Sequence, residues 1–138
     1  MASRIEGVER LKRRFENMPK AVQRETRQAV EGEANRVADR MRAVVPVEDG
    51  DLKESITVTT EGRKTPSYSH PSGSHIVPEG AAEITAGNGK VRYAHMVEYG
   101  TKKMQAEPFF WPTVRVERPK VRRNINKAIR KGLQEAKG

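Results

Sequence analysis

Y-A-H-M-V-E-Y-G-T-K-K-M-Q-A-E-P-F-F-W-P, residues 93–112, decides how this chain must fold, because it holds five of the seven Phe, Tyr and Trp residues of the sequence. So few large apolar groups, drawn together so closely, anchor either the core or a contact with another subunit. Within the stretch, Gly100 can take a backbone conformation closed to residues with a Cβ, and the Thr101 hydroxyl is placed to bond the turned backbone. Glu98, between Val97 and Tyr99, has three readings: a carboxylate pairing with an arginine or with exposed amides across a subunit boundary, a surface salt bridge or solvated acid, and, least favoured, a general base. Phe109, Phe110 and Trp111 carry too much aromatic area to stay wet, and are expected to divide between the core and the cover of a neighbour.

Helical signals stand at both ends of the chain. Val8, Leu11, Phe15, Met18 and Val22 recur at spacings of three and four, and Ala34, Val37 and Met41 continue the stripe. Asn17 before Pro19 predicts a cap, hence a short helix to about Phe15 and a longer one over about residues 18–44, with a single kinked helix as the alternative. After the aromatic stretch, Val114, Val121, Ile125, Ala128, Ile129 and Leu133 predict a helix over residues 112–136, started or kinked at Pro119.

Between the helices the period shortens. Pro46 ends the second helix, Asp49-Gly50 predicts a turn, and Ile56 and Val58 alternating with Thr57 and Thr59 predict a strand with one wet face. Residues 61–80, with Pro66, Pro71 and Pro78 and Gly62, Gly73 and Gly80, read as a long loop or protruding hairpin, flexible in a free subunit. Residues 81–86 and 91–97 read as two strands joined by Asn88-Gly89. The fold class is α+β: one domain over residues 1–138, with N-terminal helices over 4–44 and a C-terminal helix packed on a small antiparallel sheet. Ile56, Val91, Tyr93, Val97, Phe109 and Trp111 are its expected shared core.

Composition narrows the function. A 138-residue chain fits one domain, and 33% charged against 35% hydrophobic residues suits a subunit whose extended parts are covered by neighbours. Absence of cysteine excludes disulfides and thiolate chemistry. No targeting segment is read, and no apolar run approaches the roughly 20 residues that span a bilayer. The formal charge of +9 is concentrated late: residues 115–138 hold nine Lys/Arg against two Asp/Glu. Arg115, Arg118, Lys120, Arg122, Arg123, Lys127, Arg130 and Lys131 form a candidate basic surface for nucleic acid, an acidic protein surface, or simple solvation.

Signals of catalysis are weak. His70 and His75 sit in a Gly/Pro/Ser loop without the further ligands a closed zinc site needs. Ser69, Ser72 and Ser74 form no nucleophile elbow, and Gly87-Asn88-Gly89-Lys90 lacks the length and the Ser/Thr of a phosphate loop. Glu48, Asp49, Asp51 and Glu54 match no calcium loop and suit a capped turn. No cofactor, metal or catalytic residue is assigned.

V-P-V-E-D-G-D-L-K-E-S-I at residues 45–56, Y-A-H-M-V-E-Y-G-T at 93–101 and P-F-F-W-P at 108–112 together resemble the tail-component family of small neck and tail-completion proteins of long-tailed bacteriophages and prophages. The resemblance implies a non-enzymatic virion-assembly subunit at the neck, the junction of head and tail: a tail-completion, tail-terminator or head-tail joining protein. It further implies self-association in a ring, commonly hexameric, against other neck or tail-tube proteins; the basic C-terminal charge adds non-specific contact with passing DNA as an option, and no membrane partner is read. Glu98, Tyr99, Gly100, Thr101, Phe109, Phe110 and Trp111 are the candidate subunit contact. A nucleic-acid-binding module using the basic C-terminal helix is the alternative.

Overall fold

Two long helices running antiparallel form the spine of the protein in a computed structural model that describes residues 3–46 and 50–138, with side-chain surroundings from residue 8 onward. In chain order the elements are α1 (Ser3–Glu16), α2 (Lys20–Val44), α3 (Gly50–Glu54), β1 (Thr57–Thr60), β2 (Ala82–Thr85), α4 (Ala94–Tyr99) and α5 (Phe110–Lys137). The fold is α+β. Glu48 and Asp49, the latter the first residue of the expected Asp49-Gly50 turn, fall outside the described residues, and Gly50 opens α3.

The apolar stripes of α2 and α5 face each other, and Gly132 lets them approach closely: a Cβ there would stand 2.6 Å from the Val22 Cα. Polar clamps hold the register. Glu33 accepts from Arg36 at 2.9 Å and from Asn124 at 3.0 Å, Arg36 also pairs with Glu117, and Arg24 meets Glu135 at 2.6 Å. Burial works against the charge on Glu33, but the bonds from Arg36 and Asn124 outweigh it and hold its carboxyl below the ordinary value. Pro119 lies inside α5 without ending it. α5 starts at Phe110 and runs on through Pro119, so the helix does not start at that proline.

At the other junction the chain breaks between α1 and α2, as two helices. Pro19 occupies the N-cap of α2 and Asn17 makes no capping bond there. Gln23 ties the joint instead, its side-chain amide donating to the carbonyls of Met18 at 2.9 Å and Glu16 at 3.2 Å. Of the α1 stripe, Phe15 is buried whereas Leu11 is 63% exposed.

β1 pairs antiparallel with β2 in the register Thr57 to Thr85 and Thr60 to Ala82. The expected hairpin over Asn88-Gly89 does not form. Asn88 does make a turn, its side-chain oxygen accepting from the amides of Lys90 and Val91, but the chain beyond it enters α4 where residues 91–97 were read as a strand. Val91-Arg92-Tyr93 alternates like a strand, while Ala94 and Glu98, four apart, are the buried face of a helix. Nor is the Thr face of β1 wet, since Thr59 is buried.

Ala38, Met41, Val45, Leu52, Ile56, Ala86, Val91, Ala94, Phe109 and Phe110 make one buried cluster, with Tyr93, Val97 and Trp111 packed against it half-buried. The expected core residues thus share one core. Ser55 ties it to the chain after β2: its hydroxyl donates to the Leu52 carbonyl at 2.6 Å and accepts from the Gly87 amide at 2.9 Å.

Residues 61–80 are a folded excursion. Lys64 bridges Ile76, and His70 bridges Ala86 in both directions, at 2.7 and 3.1 Å. The Thr65 hydroxyl donates to the Gly73 carbonyl and accepts from the His75 amide. Thr65, Ser69, His70 and Val77 are buried. Gly62, Gly73 and Gly80 all take positive φ here, so they stand at turns within a hydrogen-bonded segment.

Candidate functional site

Glu98 is the centre of the aromatic stretch. It sits on α4, is 3% exposed, and its carboxylate accepts from three successive backbone amides: Phe109 at 2.9 Å, Phe110 at 2.8 Å and Trp111 at 3.0 Å. These are amides that the first turn of a helix leaves without partners. No side chain at the N-cap position serves α5, so a carboxylate 11 residues upstream of the first of them does so. Its negative charge also lies at the positive end of the helix dipole. The amides that the sequence reading looked for across a subunit boundary belong to the same chain.

The intervening loop is built to return the chain. Gly100 has φ 76° and ψ 174°, a region essentially reserved for glycine, and a Cβ there would stand 2.8 Å from the Ala106 amide nitrogen. The Thr101 hydroxyl accepts from the amides of Lys103 and Met104 at 3.2 and 3.0 Å. The Glu107 amide then bonds the Val97 carbonyl at 2.8 Å, closing the loop on α4. This is the role expected of the Gly-Thr pair.

Phe109 and Phe110 are buried, and so lie beneath the surface on which a neighbour would rest. Tyr99 is 62% exposed, Met96 and Met104 are exposed beside it in sequence, and the half-buried Trp111 donates its ring N–H to the Tyr99 hydroxyl at 2.8 Å. Of the candidate contact residues, Tyr99, Thr101 and Trp111 thus reach the outside, while Glu98, Phe109 and Phe110 hold the outside in place.

His70 was considered only as a weak metal ligand. Its ring instead meets Phe110, Tyr99 and Trp111 edge-on, at centroid distances of 5.0, 5.5 and 5.9 Å. Burial pushes its pKa down, the Glu98 carboxylate opposes this, and His95 adds to it. No spacing in the sequence could have shown this, since the loop reaches the clasp only through the bridge of His70 to Ala86. His75 faces elsewhere, its Nε2 lying 2.5 Å from a Glu83 carboxylate oxygen. Among the described residues no group of three or more His, Asp or Glu is placed to hold a metal ion, and no helix is long and apolar enough to cross a membrane.

Two further features face outward. An apolar groove of about 420 Å³ runs between α2, α5 and β2, with Val30, Val37, Ile84, Trp111, Val114 and Val121 in its walls. The eight basic residues assigned to α5 are all exposed, from Arg115 to Lys131.

Taken together, the Glu98 bonds turn an isolated carboxylate into a helix cap and fix the aromatic stretch in place. The chain belongs to the family described as "Bacteriophage HK97-gp10, putative tail-component", which it matches over residues 9–100. It is thereby a structural component of the phage tail, part of the virion. No curated protein and no solved structure matches the chain. The family match runs from α1 through Gly100 and so includes Glu98, whereas the amides that Glu98 caps lie beyond it.

Proposed function

We propose that the protein completes the head-proximal end of the phage tail as a subunit of a closed ring, in the position of a tail-completion, tail-terminator or head-tail joining protein. The observation that carries this reading is the Glu98 clasp. Three charge-assisted bonds fix the loop between α4 and α5, and Met104 on that loop and Met96 and Tyr99 on α4 before it stand exposed, apolar groups of the kind that anchor protein contacts. A surface held this rigidly loses little entropy when a neighbour docks on it. Membership in a tail-component family supplies the setting, and the neighbour is a second copy of the chain, six in the ring that the resemblance implies.

Light scattering of the purified full chain, with electron microscopy of the product, tests the reading. Closed rings are expected, and Met96→Ser combined with Met104→Ser, both exposed, should dissociate them at least tenfold more readily while the melting temperature of the dissociated subunit stays unchanged. A chain that remains monomeric at high concentration and in assembled tails would overturn the ring. The nucleic-acid-binding alternative has its own observation in the uncovered charge of α5.

A further inference from the structure

We propose that the outward face of α5 is a phosphate-contact surface that takes the backbone of double-stranded DNA without reading its sequence. The chain neutralises some of its own cations and leaves others free. On α2, Arg24, Arg27, Arg36 and Arg42 each meet a carboxylate of this chain. On α5, Lys131 lies 3.6 Å from Glu25, and Lys120 sits in the field of Glu33 and Glu117. Arg115, Arg118, Arg122, Arg123, Lys127 and Arg130 form no ion pair among the described residues, and all six are exposed.

Shape and chemistry select the partner. At 1.5 Å per residue the charges between positions 115 and 131 extend over about 24 Å of helix, and duplex DNA presents about one negative charge per 1.7 Å of its axis. A protein partner would call for an apolar centre with few charges. Here the only large exposed apolar residues of α5 are Val116 and Leu133, one at each end of the charged row. A membrane surface would equally need an apolar face to insert, and the apolar residues of α5 face α2 or stand in the walls of the groove beside β2. Five of the six free cations are arginines, whose forked donors suit phosphate oxygens. The choice of duplex DNA over other phosphate polymers rests on the reading of the protein as a tail subunit on the path of the genome.

Fluorescence anisotropy of the full chain with a labelled 20-base-pair duplex, titrated across salt concentrations, reads the proposal. Affinity should fall steeply with salt and be indifferent to base sequence. A triple variant, Arg122→Gln with Arg123→Gln and Arg130→Gln, should bind at least tenfold more weakly at low salt. It should also lower the slope of log K against log salt by about 2.7, at about 0.9 per phosphate contact. Neutralising Arg10, Lys12 and Arg13 on α1, which are also exposed, should change binding by less than about twofold. Lys127→Glu alone is the second variant, should the triple one fail to fold.

Three results would overturn the proposal: binding that ignores salt, binding lost through α1 but retained in the α5 variants, or polyglutamate or anionic vesicles competing as well as unlabelled duplex. Light scattering on the same triple variant separates this proposal from the ring. Intact rings that never bound DNA sink only the phosphate surface, and DNA binding by a chain that never assembles sinks only the ring.

Discussion

Glu98 joins two ends of a loop through a single carboxylate, and removing it should show how much of the clasp rests there. Glu98→Ala leaves three buried or half-buried amides without an acceptor and should cost about 3 kcal/mol or more in urea denaturation, whereas Glu98→Gln, which retains one acceptor oxygen but turns an NH₂ toward an amide, should cost about 2 kcal/mol. Equal, small losses below about 1 kcal/mol for both would show that the cap is dispensable. The His70 ring behind the clasp adds a dependence on pH. Its folded pKa is depressed below the ordinary value of 6.5, so its contribution is present above that value and is lost as pH falls through the folded pKa. Stability should therefore decline on acidification below about pH 6.5, and His70→Phe should flatten that part of the profile; an unchanged profile would remove His70 from the account. Sequence alone singled out Glu98, Gly100 and Thr101 and gave the last two their roles. The partner of Glu98 was illegible because a separation of 11 to 13 residues does not show which amides a carboxylate will meet, and an orphaned helix start looks the same in sequence as an exposed one.

Elements add a test of the packing between the long helices. Gly132 stands against the α2 backbone, with the Ala21 carbonyl 3.0 Å from where its Cβ would be, while Gly32 on α2 has open space around it. Gly132→Ala should destabilise by about 1 to 3 kcal/mol through overpacking, in spite of the better helix propensity of alanine. Gly32→Ala should stabilise by about 0.5 to 1 kcal/mol through that same propensity. Thermal melts of the two variants check the contrast, and a stabilised Gly132→Ala would mean that the helices can part at no cost. The stripes of α2 and α5 were legible because a period near 3.6 repeated over 25 and 28 residues outweighs local exceptions such as Pro119. The strands were half legible. β1 was found by its alternation, but β2 pairs with it across 21 intervening residues, and the Asn-Gly signal drew the pairing toward the nearer segment. Six residues are too few for either period to win, so the identity of α4 was decided by the place its Glu98 takes at the start of α5.

Across the whole molecule, the segment over residues 61–80 is where turn chemistry and packing make opposite predictions. Its prolines and glycines argued for a loop that orders only against a neighbour. The fold ties it at three levels: Gly62 donates to the Val77 carbonyl and Val77 to the Arg63 carbonyl, both at 2.9 Å; Thr65 and His75 exchange backbone and hydroxyl bonds; and His70 exchanges both bonds with Ala86. Phe15 of α1 closes over it, near enough to Gly80 that a Cβ there would meet its ring at 2.9 Å, and Glu61 accepts from the Gly80 amide at 2.7 Å while pairing with Arg27 of α2. An excursion so connected opens only by breaking contacts with the core, and its amides should exchange accordingly. In a dissociated subunit, hydrogen exchange should therefore find the amides of Gly62, Thr65, His70 and Val77 protected to within about 1 to 2 kcal/mol of the α2 and α5 cores, with the exposed turn at Ser72 to Ser74 exchanging faster. Gly80→Ala, which pushes Phe15 aside at a residue with φ 81°, should lower protection across the segment while leaving the α2–α5 pair almost unchanged. Uniformly fast exchange in the wild-type subunit, slowed only on assembly, would restore the opposite picture, in which neighbours supply the order that this chain here supplies for itself.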